Sequence, residues 1–146
     1  PGVFFTRELD PNSGRLLHTA EIRPLFRGSW LEFIVSRNDH ISVRIDRHRK
    51  ISGTTLLRAL GYENNDEIRN LFKEVDTDID HQYIETTLLK DTSKTTNEAL
   101  LEFYDKIRPG EPAVIENAKN LFHQMFFDPR RYDLGLVGRY KLNKKL

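Results

Sequence analysis

The chain contains no cysteine. That excludes disulfides, thiolate metal sites and cysteine nucleophiles together, and it fits a cytoplasmic, reducing setting. There is one tryptophan and one methionine. No apolar run approaches the ~18 residues that a membrane span requires, and no secretory leader pattern opens the sequence. A surplus of one charge is missing as well: 23 basic and 22 acidic residues leave a formal net charge of +1. A free-standing nucleic-acid binder usually carries a larger cationic excess, because neutralising phosphates needs cation density. The five histidines (His18, His40, His48, His81 and His123) lack metal-ligand spacing. No glycine-rich phosphate loop is present, and no serine or threonine sits in a nucleophile-elbow pattern. Nothing in the residues supports catalysis by this chain alone.

What is present suits a single packed domain. The chain has 146 residues, 38% hydrophobic and 10% aromatic, which is enough apolar material for one core. It opens at Pro1 and stops in Arg139-Tyr140-Lys141-Leu142-Asn143-Lys144-Lys145-Leu146. Both ends read as cut, so a piece of a larger protein is expected. Residues 1–50 read as β-rich, with apolar positions near period two and turn signals at Asp10-Pro11-Asn12-Ser13-Gly14, Arg27-Gly28-Ser29 and Arg37-Asn38-Asp39. Residues 30–47 read as a hairpin, with Ile41, Val43 and Ile45 on one face and Ser42, Arg44 and Asp46 on the other. After Gly53 the period becomes helical. Short helices are expected at 54–60 and 66–73, the second capped by Asn64 or Asn65 with Ile68, Leu71 and Phe72 inward. Longer ones are expected at 97–107 and 114–127, closed by Pro109-Gly110 and by Pro129. Residues 74–94 lose the pattern, and 132–146 read as either loop or short helix. Strands followed by helices make the expected class α+β.

Charge is segregated along the chain. Residues 37–58 carry Arg37, Arg44, Arg47, Arg49, Lys50 and Arg58 against Asp39 and Asp46. From residue 130 onward Arg130, Arg131, Arg139, Lys141, Lys144 and Lys145 face Asp133 alone. Between them, residues 63–85 are acidic. If both basic segments fold onto one side, a neutral chain still presents a cationic surface to phosphates. Asp76, Asp78 and Asp80 invite a calcium-loop reading, but the pattern needs Gly and Glu where His81 and Thr87 stand. A solvated acidic loop is the better account.

Arg44, Arg47, Arg49 and Lys50 are the electrostatic candidates, since guanidinium forks suit phosphate oxygens and base edges. The competing reading is a solvated polar strand face. Trp30 on a half-buried strand is more often core, while an exposed indole flanked by cations would stack on an unpaired base. Its neighbours Arg27, Gly28 and Ser29 tilt the reading toward exposure.

Several strings together resemble one family. They are Pro1-Gly2-Val3-Phe4-Phe5, Arg27-Gly28-Ser29-Trp30-Leu31-Glu32-Phe33, Val43-Arg44-Ile45-Asp46-Arg47-His48-Arg49-Lys50, Thr55-Leu56-Leu57-Arg58-Ala59-Leu60-Gly61-Tyr62, Ile107-Arg108-Pro109-Gly110-Glu111-Pro112, and Arg131-Tyr132-Asp133-Leu134 with Val137-Gly138-Arg139. In this order they resemble the lobe (domain 2) of the bacterial DNA-directed RNA polymerase beta subunit, covering the chain nearly end to end. The resemblance implies one lobe domain over residues 1–146, forming a wall of the main channel. That wall would face downstream duplex DNA and the single-stranded non-template strand. It implies that Trp30 stacks on a non-template base, with Asp46, Arg47 and Arg108 in or beside that strand's path and Arg131 near DNA.

It implies no cofactor in this chain, the enzyme's magnesium being held by the beta-prime subunit. It also implies the alpha, beta-prime and omega subunits, sigma factor and further regulators as partners, no membrane, and a cytoplasmic, nucleoid-associated location. A docking surface for sigma or other regulators, through the acidic stretch 63–85, is the alternative reading. The sequence departs from the family at His48, where many relatives have Arg. It departs again at 74–94, a short acidic connection where many relatives begin a large insertion; the connection is either naturally short or an engineered joint. The expected geometry is therefore two cation-rich stretches meeting around an accessible indole.

Overall fold

The computed structural model describes residues 2–25, 29–130 and 132–145. Among them an antiparallel sheet comes first and helices follow, the α+β order expected from the change of period. Five strands, β1 (Gly2–Leu9), β2 (Leu16–Arg23), β3 (Leu31–Val35), β4 (Ile41–Ile45) and β5 (Ile51–Ser52), lie side by side in sequence order. The meander needs only short reversals, and the chain supplies them. Between β1 and β2 the Asp10 carboxylate accepts from Ser13 Oγ at 2.6 Å and from the Asn12 amide, while Gly14 turns at φ 70°. The Ser13 bond, followed by the Asn12 amide, holds the Asp10 carboxyl below its ordinary value. Between β3 and β4 the Ser36 amide donates to the His40 carbonyl at 2.9 Å. The β3–β4 register pairs Leu31 with Ile45, Phe33 with Val43 and Val35 with Ile41, so the alternation expected for residues 30–47 holds.

One face of this sheet is covered by helices α1 (Gly53–Ala59), α4 (Thr96–Ile107) and α5 (Ile115–Phe126). The core joins Leu31, Val43 and Ile45 to Leu56, Phe103 and Phe122. Phe103 and Phe122 meet edge to face at 5.1 Å, the favoured aromatic geometry. Helix α4 starts as its sequence dictates: Thr95 accepts from the Glu98 amide at 3.1 Å, and Glu98 reaches back to the Lys94 amide at 2.8 Å. Helix α2 (Asn65–Phe72) is capped by Asn64, which accepts from the Asp66 amide at 2.7 Å.

Three expectations change, and one open alternative is decided. Residues 74–94 are not an unpatterned connection throughout: helix α3 (Tyr83–Leu89) lies within them. Its Ile84 and Leu88 build a second small core with Ile68, Ile41, Leu57 and Phe72. A seven-residue helix with two apolar anchors leaves too weak a periodic signal to read alone. The aspartates upstream are local scaffolding: Asp76 accepts from the Ile84 amide at 2.9 Å, at the start of α3, and Asp78 closes a turn on Asp80. Leu71 is exposed, because Ile68 and Phe72 already fill the space beside α3. Residues 132–146, left open between loop and helix, hold helix α6 (Gly135–Lys145), set against β1. Arg58, counted among surface cations, is buried.

The fork of Arg58 is fully used. It makes a 2.6 Å ion pair with Asp91 between side chains that are 1% and 0% exposed. It also donates to the Glu63 carbonyl and to Asn65 Oδ1. Removing one partner of a buried pair strands the other charge. Asp91→Ala is therefore expected to cost about 3–5 kcal/mol, read as a fall in the urea midpoint at unchanged m-value; a loss below about 1 kcal/mol contradicts this role.

His40 gives a pH dependence. Burial, helped by the Lys90 and Lys50 cations and opposed by Asp91, pushes its imidazolium pKa below the ordinary value of 6.5. Folding thus favours the neutral ring. Its contribution is complete above the ordinary value and declines as pH falls through it toward the lowered folded value. His40→Gln should flatten the acid side of the stability–pH curve in this window, measured by melting temperature from pH 7.5 to 5. A parallel curve for the variant would refute it.

Candidate nucleic-acid interface

Trp30 directly precedes β3. Alternation sends Leu31 and Phe33 to the core and turns Trp30 and Glu32 to the uncovered face of the sheet. The indole is 40% exposed, so it is not a core residue. Its backbone is held from across the hairpin by one residue. The Trp30 amide donates to Asp46 Oδ1 at 2.8 Å, and the Asp46 amide donates to the Trp30 carbonyl at 3.1 Å. This two-point clasp extends the β3–β4 ladder by one pair.

Asp46 can reach back because the chain reverses sharply after β4. Asp46 and Arg47 both adopt left-handed backbone, at φ 49° and 63°, and the His48 amide donates to the Ile45 carbonyl at 2.9 Å. Two consecutive positive φ values are the signature of a primed hairpin turn, normally built from Asn and Gly. Asp tolerates the conformation; Arg pays for it, at about 1–2 kcal/mol. The turn throws the Arg47 side chain outward beside the indole. His48, Arg49 and Lys50 continue exposed toward β5.

A shallow cavity of about 320 Å³ opens here, lined by Glu21, Trp30, Glu32, Arg44, Asp46 and Arg47. Arg44 stands opposite Glu32, which in turn stands opposite Glu21. The like-charged Glu21–Glu32 pair would be unfavourable alone; Arg44 on one side and Arg23 on the other offset it. Arg23 was absent from the expected set. Its guanidinium centre lies 4.6 Å from the Trp30 ring centroid and 4.4 Å from that of Phe4. Strand alternation puts Glu21 and Arg23 on the outer face, but only the register of β1, β2 and β3 brings Arg23 over the indole.

The expected residues thus divide. Trp30, Arg44, Asp46 and Arg47 come together in one cavity. Arg49 is exposed in the loop leading to β5, and Arg108 is exposed at the end of α4, in a turn closed by the Glu111 amide. Arg131 lies outside the described residues. The second basic segment meets the sheet at β1 rather than at the indole: Lys141 packs beside Gly2, and the Lys145 ammonium is 5.8 Å from the Phe5 ring. The surface around the indole is consequently of mixed charge, not a cationic patch. The arrangement sets one exposed aromatic face beside hydrogen-bond donors and acceptors, with the further cations Arg49 and Lys50 in the loop that follows.

The acidic stretch is mostly exposed, yet several of its carboxylates are engaged locally. Glu85 and Asp66 both pair with Arg69, Glu63 accepts from the Thr96 amide at 2.8 Å, and Asp76 and Asp78 serve backbone amides. On the other side of the sheet's turns, Arg15 and His81 converge on Asp39, at 2.7 and 2.9 Å. Burial opposes ionisation of Asp39, but the His81 and Arg15 hydrogen bonds outweigh it and hold the carboxyl below its ordinary value. Among the described residues no cluster of His, Asp and Glu is arranged to hold a metal ion, and no helix is long and apolar enough to cross a membrane.

Backbone strain at the turn gives a test. Arg47→Gly is expected to raise stability by about 0.5–1 kcal/mol, because relief of the left-handed strain exceeds the entropic cost of glycine. A thermal melt of the variant measures it; a lower melting temperature would show that the turn is not strained at this position.

The family model described as RNA polymerase Rpb2, domain 2, matches residues 1–146. The chain is similar to the protein named DNA-directed RNA polymerase subunit beta of Alkaliphilus oremlandii, 53% identical over 146 residues, covering 100% of this chain and 11% of the relative. It is similar to the proteins of the same name from Staphylococcus carnosus, 49% identical over 146 residues, and Chloroflexus aggregans, 48% identical over 166 residues. These again cover the whole chain, and 12% and 13% of those relatives. The chain thus spans about an eighth of the length of the curated relatives it matches.

Proposed function

The chain belongs to the RNA polymerase Rpb2 domain 2 family, and from that premise we propose that it is the lobe of a DNA-directed RNA polymerase beta subunit that lines the main channel. In this reading the surface around Trp30 receives the unpaired non-template strand, and the flanking loop faces the downstream duplex. The single observation that carries the reading is the exposed indole, clasped by Asp46 and set beside Arg44 and Arg47. An aromatic face accepts any base by stacking, worth about 1–3 kcal/mol per base. The neighbouring guanidinium and carboxylate groups address base edges and phosphate oxygens. Arg49, with Lys50, supplies the sequence-independent attraction.

The domain's part is positioning and strand separation rather than phosphoryl chemistry. Nucleotidyl transfer would belong to the assembled enzyme, with magnesium held by the beta-prime subunit. The alpha, beta-prime and omega subunits and sigma would be its partners, and the cytoplasmic nucleoid its place of work. Residues 74–94 would be a connection of natural length at the family's insertion point. The two relatives that align over 146 residues, the length of this chain, support that. Sigma or another regulator docking on the acidic stretch is the lesser reading, since most of those carboxylates already serve Arg69 or backbone amides.

The test is a salt titration of forked-DNA binding by the intact polymerase carrying Trp30→Ala. Loss of one stacked base should weaken open complexes by about 1–3 kcal/mol while leaving the salt slope unchanged, because no phosphate contact is lost. Open complexes as stable as those of the parent enzyme would refute the stacking role.

A further inference from the structure

The indole is backed by a layered stack that family resemblance did not supply. Arg23 lies between two rings, 4.4 Å from the Phe4 centroid and 4.6 Å from the Trp30 centroid. Its plane is fixed by Glu21, which accepts from Nε at 3.0 Å and from Nη2 at 3.2 Å. Strand pairing enforces the arrangement: Phe4 stands opposite Glu21 on neighbouring strands, and Arg23 follows two residues later on the same face. A guanidinium oriented by a carboxylate fork and packed on a ring face is a rigid planar layer.

We propose that Arg23 is a positioning residue for Trp30: held by Glu21 and Phe4, it covers one face of the indole and leaves the other as a single-sided platform for one unpaired base. The proposal rests on the stacking reading given above and adds how the platform is oriented. One covered face excludes intercalation of the indole between two bases. A ring stacked on a fixed layer is also already ordered, so binding does not have to immobilise it. Glu21 matters as much as Arg23, because without the carboxylate fork the guanidinium has no fixed plane.

The chain's only tryptophan makes the test direct. The 146-residue chain is compared with Arg23→Ala, Arg23→Lys and Trp30→Ala, each checked for the parent far-UV circular dichroism. Acrylamide quenching of Trp30 emission, without DNA, reads access to the ring. Low-salt binding of oligothymidylate reads the platform. Uncovering the second face in Arg23→Ala should raise quenching about twofold, and loss of the cation–ring layer should weaken binding about two- to fivefold. Arg23→Lys, which keeps the charge but loses the planar fork, should fall between parent and Arg23→Ala on both readouts.

Quenching equal to the parent in Arg23→Ala overturns the proposal. So does raised quenching with parental affinity, if Trp30→Ala binds weakly. Should Trp30→Ala bind as tightly as the parent, the stacking reading itself fails, and the quenching comparison alone decides whether Arg23 orients the ring.

Discussion

The buried guanidinium of Arg58 is the constraint on which the helical half is built. Its ion pair with Asp91 joins α1 to the segment between α3 and α4. Its bonds to the Glu63 carbonyl and to Asn65 fix the turn that launches α2. Three stretches of chain are therefore referred to one cation. A guanidinium can serve them because its donors spread in a plane, and at this depth each must find an acceptor. Helix α1 in turn lies against β4, so the same anchor sets how the helices seat on the sheet.

The sheet needs that support because its other face is given over to polar groups. Once Leu31, Phe33, Val43 and Ile45 are drawn into the core, alternation has no choice but to expose Trp30, Glu32 and Arg44. The Asp46 clasp then closes the hairpin at the cost of two left-handed residues in succession. Strain of this kind persists where the surroundings over-determine it, and it concentrates at binding sites. Here it aims one arginine and one carboxylate at the edge of an exposed ring. The charge lining the cavity is mixed, with Glu21, Glu32 and Asp46 beside Arg44 and Arg47.

Much of the fold is legible in the sequence because its signals are local. Asn64, one of the two expected caps, does cap α2, and Pro109-Gly110 and Pro129 follow the ends of α4 and α5. The hairpin alternation of residues 30–47 assigns each face correctly. Helix α3 is not legible, since it has only seven residues and its two apolar anchors gain meaning from Ile68 and Phe72, more than ten residues upstream. Leu71 misleads for a related reason: helical spacing marks it as inward, but α2 turns Ile68 and Phe72 to the second core and leaves Leu71 exposed.

The site divides in the same way. Residue type and spacing marked Trp30, Arg44 and Arg47, while Asp46 entered the set only through the family resemblance. Charge counting grouped Arg58 with one basic segment that could share a surface with the residues after 130, and the fold separates them: Arg58 is inside, and Lys141 and Lys145 of α6 lie beside β1. Arg23 became part of the site only through the β2–β3 register, which brings it over a ring seven residues away in the chain. What the order of residues determined was the face each side chain takes within its own element, a property of backbone geometry. Which faces meet, and which charges end up paired or buried, was decided by long-range packing, where burial energy overrides any pattern visible along the chain.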